Sequence, residues 1–215
     1  MKVGVLGTGV VGRTLATKLV GLGYDVLMGS REAGNEKAGE WLASVDGRGA
    51  TGTFAEAAAH GELLLNCTAG VASVEALAAA AAEDLDGKVL LDVANPLDFS
   101  RGMPPTLTIA NDDSLGETLQ RTFPQARVVK SLNTVNAHVM TDPGRVPGEH
   151  VVYVCGNDET AKRQVEELLR AFGWRQIVDL GDISGARATE GVLPLWVRLM
   201  GVLGTADFNF EIRRA

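Results

Sequence analysis

Three glycines and a cation carry the first chemical signal in this 215-residue chain. Gly7, Gly9 and Gly12 spell G-x-G-x-x-G directly after the apolar, β-branched run Lys2 to Leu6. In such a loop Gly7 allows a sharp turn, Gly9 clears space for a pyrophosphate, and Gly12 lets the next helix lie close on the strand. Free N–H groups in that helix's first turn, with Thr8, Val10 and Val11 beside them, would face the phosphates. The second strand closes on Gly29-Ser30-Arg31, with Lys37 a few residues on. A carboxylate there would hold the ribose hydroxyl of NAD, whereas cations and hydroxyls suit the 2′-phosphate of NADP. Arg31 offers a fork of donors, Ser30 a hydroxyl and Lys37 a second cation, so the pattern favours NADP. Glu32 is the competing carboxylate, but it comes two residues after Ser30, where its side chain should point elsewhere.

Ligands of open α/β sheets lie outside the carboxyl ends of the strands. The later strand ends read Cys67-Thr68-Ala69-Gly70, Ala94-Asn95-Pro96-Leu97 and Ser131-Leu132-Asn133-Thr134. These short turns suit a ribose and a flat nicotinamide held by backbone contacts, and Thr68, Ala69 and Val71 are candidates for cofactor contact. None places a clear general acid. His60, His138 and His150 are scattered without metal-ligand spacing. His138 is the best acid candidate, and a solvent or capping role suits it better. Catalytic side chains and metal ligands are therefore both expected to be absent. No nucleophile elbow, C-x-x-C, H-E-x-x-H or Walker lysine is present. Hydride transfer to an acceptor that is itself an electron sink needs orientation more than acid–base help, which fits a site poor in titratable groups.

The elements that must position these residues alternate along the chain. Helices are expected at about 36–45, 55–60, 71–83, 115–123 and 159–172, and strands at about 2–6, 25–28, 51–54, 62–67, 88–93, 127–130, 151–155 and 176–180. A loop carries Pro104-Pro105. This order predicts an α/β fold, a doubly wound, mainly parallel Rossmann-type sheet with right-handed crossovers. Residues 1–183 would form the NADP-binding domain and 184–215 a small C-terminal helical extension bordering the acceptor. In that extension apolar residues recur at helical spacing, and the one strand signal is Asn209 to Ile212.

A net charge of −7 and 5% aromatic residues argue against nucleic acid or an anionic membrane as partner. Cys67 and Cys155 lie far apart in apolar runs and read as buried, inert thiols. Gly191 to Gly204, the longest apolar stretch, is interrupted by Pro194 and Arg198 and is too short to span a bilayer. With Met1 leading straight into the first strand, a cytoplasmic protein is expected.

Together the segments GTGVVG, GSRE followed by EKA, VVKSLNTVNA, VCGND and the helix opening LPLW resemble the NADP-dependent reductases of the 8-hydroxy-5-deazaflavin coenzyme. The resemblance spans nearly the whole chain. It implies hydride exchange between NADPH C4 and deazaflavin C5 in a homodimer, with Ser30, Arg31 and Lys37 on the 2′-phosphate. It also implies nucleotide contacts from Thr8, Gly9, Val10 and Val11, with Asn95 and Ala137 near the nicotinamide. The acceptor's wall would come from the turn at Thr68 to Val71 and the helix carrying Leu195, Trp196 and Met200. Two segments depart from the family pattern, CTAGVAS and the apolar LPLWVRLMGVLGTADFNF, and both border the acceptor. A flavin or another small redox acceptor, and a non-catalytic NADPH-binding module, remain alternatives.

Overall fold

The computed structural model describes all 215 residues. Ten strands and nine helices follow one another as β1 (Lys2–Leu6), α1 (Val10–Gly21), β2 (Asp25–Ser30), α2 (Glu36–Ser44), β3 (Gly49–Thr53), α3 (Phe54–His60), β4 (Leu63–Asn66), α4 (Ser73–Ala78), β5 (Val89–Asp92), β6 (Leu97–Asp98), β7 (Thr106–Leu107), α5 (Leu115–Thr122), β8 (Arg127–Ser131), α6 (Ala137–Thr141), β9 (Val151–Gly156), α7 (Glu159–Phe172), β10 (Gln176–Asp179), α8 (Ala186–Gly191) and α9 (Leu193–Leu203). Eight of the strands form one sheet in the order β10-β9-β8-β5-β4-β1-β2-β3, and β6 pairs with β7 in a separate hairpin. The chain starts at β1, runs out to β3, and returns to the other side of β1 through β4. That reversal is the topological switch point at which α/β sheets bind ligands.

Period-two alternation sends side chains of each strand to both faces. Val3, Val5, Leu63 and Leu65 meet Leu15 and Leu19 of α1 and Val165 and Leu169 of α7 on one face. Leu6, Leu64 and Leu90 meet Ala58, Leu77 and Leu119 on the other. Both faces of the central strands are covered by helices, so these strands carry almost wholly apolar sequences.

The sheet is mainly parallel, as expected: β9 runs antiparallel to β8, and every other pairing in it is parallel. Two expectations are corrected. The alanine-rich stretch expected as one helix over 71–83 is a 3-10 turn at Gly70–Ala72, the short α4, and a second turn at Ala82–Asp84. Alanine's helix preference is weak beside tertiary demands: Ser73 must meet Asn66 and Leu85 must enter the core. Asn209 to Ile212 is not a strand, since the Asn209 side chain takes the Val151 carbonyl and only Phe210 O accepts from the Val151 N–H. The Pro104-Pro105 loop is the tip of the β6–β7 hairpin. No helix is long and apolar enough to cross a membrane.

Candidate active site

The loop after β1 is built by steric necessity. Gly7 sits at φ +119, and a Cβ there would lie 2.6 Å from the Cys67 carbonyl oxygen. A Cβ on Gly12 would lie 2.1 Å from Gly7 O, so α1 can approach only without a side chain at that position. Gly9 differs: a Cβ there would meet nothing within 4 Å. The space above Gly9 is the open cradle a pyrophosphate needs. Gly9 also caps α1 with no side-chain hydrogen bond, leaving the first-turn N–H groups of Val10, Val11 and Gly12 available to an anion.

A groove of about 730 Å³ runs from this loop past Gly7, Thr8 and Gly9 to Ser30, Arg31 and Asn35. Ser30 is buried and its hydroxyl donates to Glu32 O at 2.6 Å. Arg31 is exposed and forms no ion pair. Glu32 is absent from the groove lining. Lys37 lies in the first turn of α2, which Asn35 caps by accepting from the Ala38 N–H. It stands outside the groove wall, as do Gly12, packed beneath it, and Val10, which faces a separate surface groove with Arg13 and His138.

A second cleft of about 620 Å³ adjoins the first, and the two share Cys67, Thr68 and Ala69. Val11, Val71, Asn95 and Ala137 line this second cleft, so the structure gathers the remaining expected residues there. Asn95 and Asn133 lock two strand-end turns together, Asn95 Nδ2 donating to Asn133 O at 2.8 Å and Asn133 Nδ2 to Asn95 Oδ1 at 2.9 Å. Trp196 and Met200 of α9 form part of the wall, but Leu195 does not; it points outward and is 51% exposed. The wall residues beside Trp196 are Leu193 and Val197, one helical turn apart on the inward face. His138 is exposed and lies outside this cleft.

Beneath the cleft floor lies a polar network invisible in the sequence. Lys130 Nζ is 2.8 Å from Asp92 Oδ2 and 2.8 Å from Glu190 Oε1, and it donates to the Ala94 carbonyl at 2.5 Å. Burial alone would lower the Lys130 pKa, but the two carboxylates outweigh it and raise it. Asp92 Oδ1 accepts from Asn66 Nδ2, and Thr68 Oγ1 donates to Asn66 Oδ1 at 2.7 Å, so the network reaches the cleft wall. Glu190 also accepts from the Leu115 and Gly116 N–H groups at the start of α5. A cation inside an apolar strand reads as a strand residue; its partners become apparent only when β5 and α8 arrive.

Both cysteines are free. Burial pushes the Cys67 thiol far above its ordinary value and the Cys155 thiol up to about 12. Neither is a thiolate near neutral pH, although Cys67 borders both clefts. No group of three or more His, Cys, Asp or Glu side chains is placed to hold a metal ion.

Residues 2–96 match the family model described as NADP oxidoreductase, coenzyme F420-dependent. A crystal structure from Arthrobacter sp. FB24, provisionally assigned as an F420-dependent NADP reductase, is 52% identical, superposes with a TM-score of 0.94, and the match covers 100% of both chains. The metalloreductase STEAP3 of Rattus norvegicus is 34% identical over 201 residues, 91% of this chain and 38% of that one. The F420-dependent NADP reductase of Methanocaldococcus jannaschii is 31% identical over 118 residues, 54% of this chain and 52% of that one. This chain thus spans between about a third and a half of the length of these two curated relatives. From the glycine loop to the C-terminal helix the likeness is continuous, and the chain belongs to the coenzyme F420-dependent NADP oxidoreductase family.

Proposed function

We propose that the protein transfers a hydride between NADPH and coenzyme F420, the 8-hydroxy-5-deazaflavin. The observation that carries this reading is the junction at Cys67, Thr68 and Ala69, where a groove with an open glycine cradle runs directly into a mainly apolar cleft. The glycine loop and α1 terminus hold the pyrophosphate, and Ser30, Arg31 and Lys37 select the 2′-phosphate. Arg31 supports this role because no carboxylate of the chain competes for it. Thr68, Ala69, Val71, Asn95 and Ala137 surround the junction and orient the nicotinamide end. The bound pair supplies the chemistry itself, a two-electron hydride exchange between ring systems. The chain's part is to align and desolvate the rings, a contribution that reaches roughly 7–11 kcal/mol in well-oriented systems. No acid–base side chain is assigned.

The extension over residues 184–215 borders the acceptor, and a homodimer is supported by the exposed Leu195, Val202 and Leu203 on α9. We place the protein in the cytoplasm, where reduced nicotinamide cofactors are made. The test mixes the protein with NADPH and, separately, oxidised F420, FMN, FAD and quinones while following the reduced nicotinamide absorbance. F420-dependent oxidation supports the reading; turnover with flavin alone reassigns the acceptor, and NADPH binding without turnover anywhere leaves a binding module.

A further inference from the structure

The β6–β7 hairpin stands at the mouth of the second cleft and carries two large apolar side chains that no core residue covers. Phe99 is 56% exposed and Met103 62% exposed, yet both line the cleft, together with Leu97 and Pro105 of the same hairpin. Such exposure of large apolar groups marks a binding surface when the groups face a concave site. The hairpin is anchored to the cleft floor: Leu97 N–H donates to Asn95 O, and Thr108 N–H donates to Pro96 O, each at 2.8 Å. At its tip Gly102, at φ +83, donates its N–H to Phe99 O at 2.8 Å, so Phe99 opens a closed turn.

The chemistry of the lining limits what this surface can take. Asp98 is its one charged residue, and both carboxylate oxygens are already occupied, Oδ1 by the Ser100 N–H at 2.8 Å and Oδ2 by the Ser100 hydroxyl at 2.9 Å. The backbone N–H of Ser100, then its hydroxyl, holds Asp98 below the usual carboxylate range. Its charge shapes the hairpin. Also lining the cleft, Trp196 stacks on Phe208 at 5.1 Å and has a buried Nε1–H with no acceptor in the chain. That N–H is closed off from the cleft, so Trp196 offers the cleft the apolar surface of its ring.

We infer that the hairpin is the outer half of the acceptor site, with Phe99 and Met103 covering a flat, uncharged ring system from one side while Trp196 and Met200 of α9 contact it from the other. This rests on the hydride-transfer reading and adds what sets acceptor specificity. The hairpin favours tricyclic rings over single-ring acceptors, because a broad ring offers more apolar surface to the hairpin and α9 residues that line the same cleft. Charged groups of the acceptor must lie outside the cleft.

The test compares Phe99→Ala, Met103→Ala, the double variant and Trp196→Phe with the unmutated protein. Full burial of a Phe or Met side chain is a large effect, so partial cover predicts a rise in F420 KM of roughly threefold to tenfold per substitution. NADPH affinity should stay within about twofold, and a one-ring benzoquinone should be nearly unaffected. Binding of oxidised F420 to the NADP-saturated protein, read by fluorescence, is measured in parallel. Turnover with KM unchanged in all four variants overturns the inference and leaves the hydride-transfer reading standing. Binding weakened by the variants, in a protein that does not turn over, sinks hydride transfer and keeps the site. Neither binding nor turnover in the unmutated protein sinks both.

Discussion

Lys130 and Glu190 meet at 2.8 Å with side-chain exposures of 0% and 2%, joining strand β8 to helix α8 by a buried ion pair. Asp92 completes the triad from β5 at the same distance from Lys130. Removing the cation would strand two carboxylates in the interior, and breaking a buried pair costs about 3–5 kcal/mol. Lys130→Met is expected to lower unfolding free energy by about that amount in urea titrations. Replacing all three residues with apolar ones of similar size should restore much of it; a loss below about 1 kcal/mol in the single variant would show that the triad does not brace the fold.

Arg31→Ala should weaken NADPH and leave NADH nearly unchanged. Hydrogen bonds to a charged group contribute about 1.5–3 kcal/mol each, or roughly a tenfold to hundredfold change in affinity. Calorimetric titration of both cofactors into both proteins measures this, and equal affinity for NADH and NADPH in the unmutated protein would remove the 2′-phosphate assignment.

Two glycine substitutions should behave oppositely. Gly9→Val places its side chain in open space, so the fold should persist while dinucleotide binding is lost. Gly12→Ala drives a Cβ to 2.1 Å from Gly7 O and should lower the melting temperature. A Gly9→Val protein that binds NADPH within a few-fold of normal would mean that the loop cradles no pyrophosphate.

His138→Ala should change turnover by less than about twofold, because the imidazole is exposed outside the cleft; removing a true general acid typically costs 10²-fold or more. Trp196→Ala should instead raise the acceptor KM and spare NADPH binding. Steady-state kinetics on both variants separates the roles, and a hundredfold loss for His138→Ala would point to a carbonyl or imine substrate.

Acid should release the C-terminal tail. Hydrogen bonds from Asn136, then Arg145, hold Asp207 below its ordinary value of 3.8. A carboxylate with a depressed native pKa contributes stability above its unfolded value, and loses that contribution as pH falls through the native one. Below about pH 3.8 the Trp196–Phe208 stack should begin to loosen, seen as a change in tryptophan emission. Asp207→Asn should lack this step; an identical acid profile in both proteins would show that the contact does not tether the tail.

The glycine-loop end of the candidate site was legible because most of its requirements are local. Gly12 answers the nearby Gly7 carbonyl and Arg31 directly follows Ser30 at the end of β2, whereas the Cys67 carbonyl that also constrains Gly7 comes from a distant strand end. The second cleft was legible only in part. Trp196 and Met200, read from helical spacing, do line it, but Leu195, expected beside them, lies on the opposite side of the turn. The hairpin escaped because strands of two residues show no alternation. The reversal of β9 escaped for a different reason: the short helix α6 before it was not read, and strand direction is decided by where the segment after α6 lands. Lys130 needed partners from β5 and α8 to become a buried triad.

The tail that follows α9 does more than cover the core. Asn136 Nδ2 donates to Ala206 O at 2.7 Å, Arg145 pairs with Asp207 at 2.7 Å, and Asn209 Nδ2 donates to Val151 O at 2.7 Å. At the other end, Glu190 pins α8 just ahead of α9. Helix α9 is therefore a beam clamped at both ends, unable to swing without breaking a buried ion pair or three surface ties. The opposite bank of the cleft is the β6–β7 hairpin, held together by the two pairs Leu97–Leu107 and Asp98–Thr106, so the two banks are tied down very unequally.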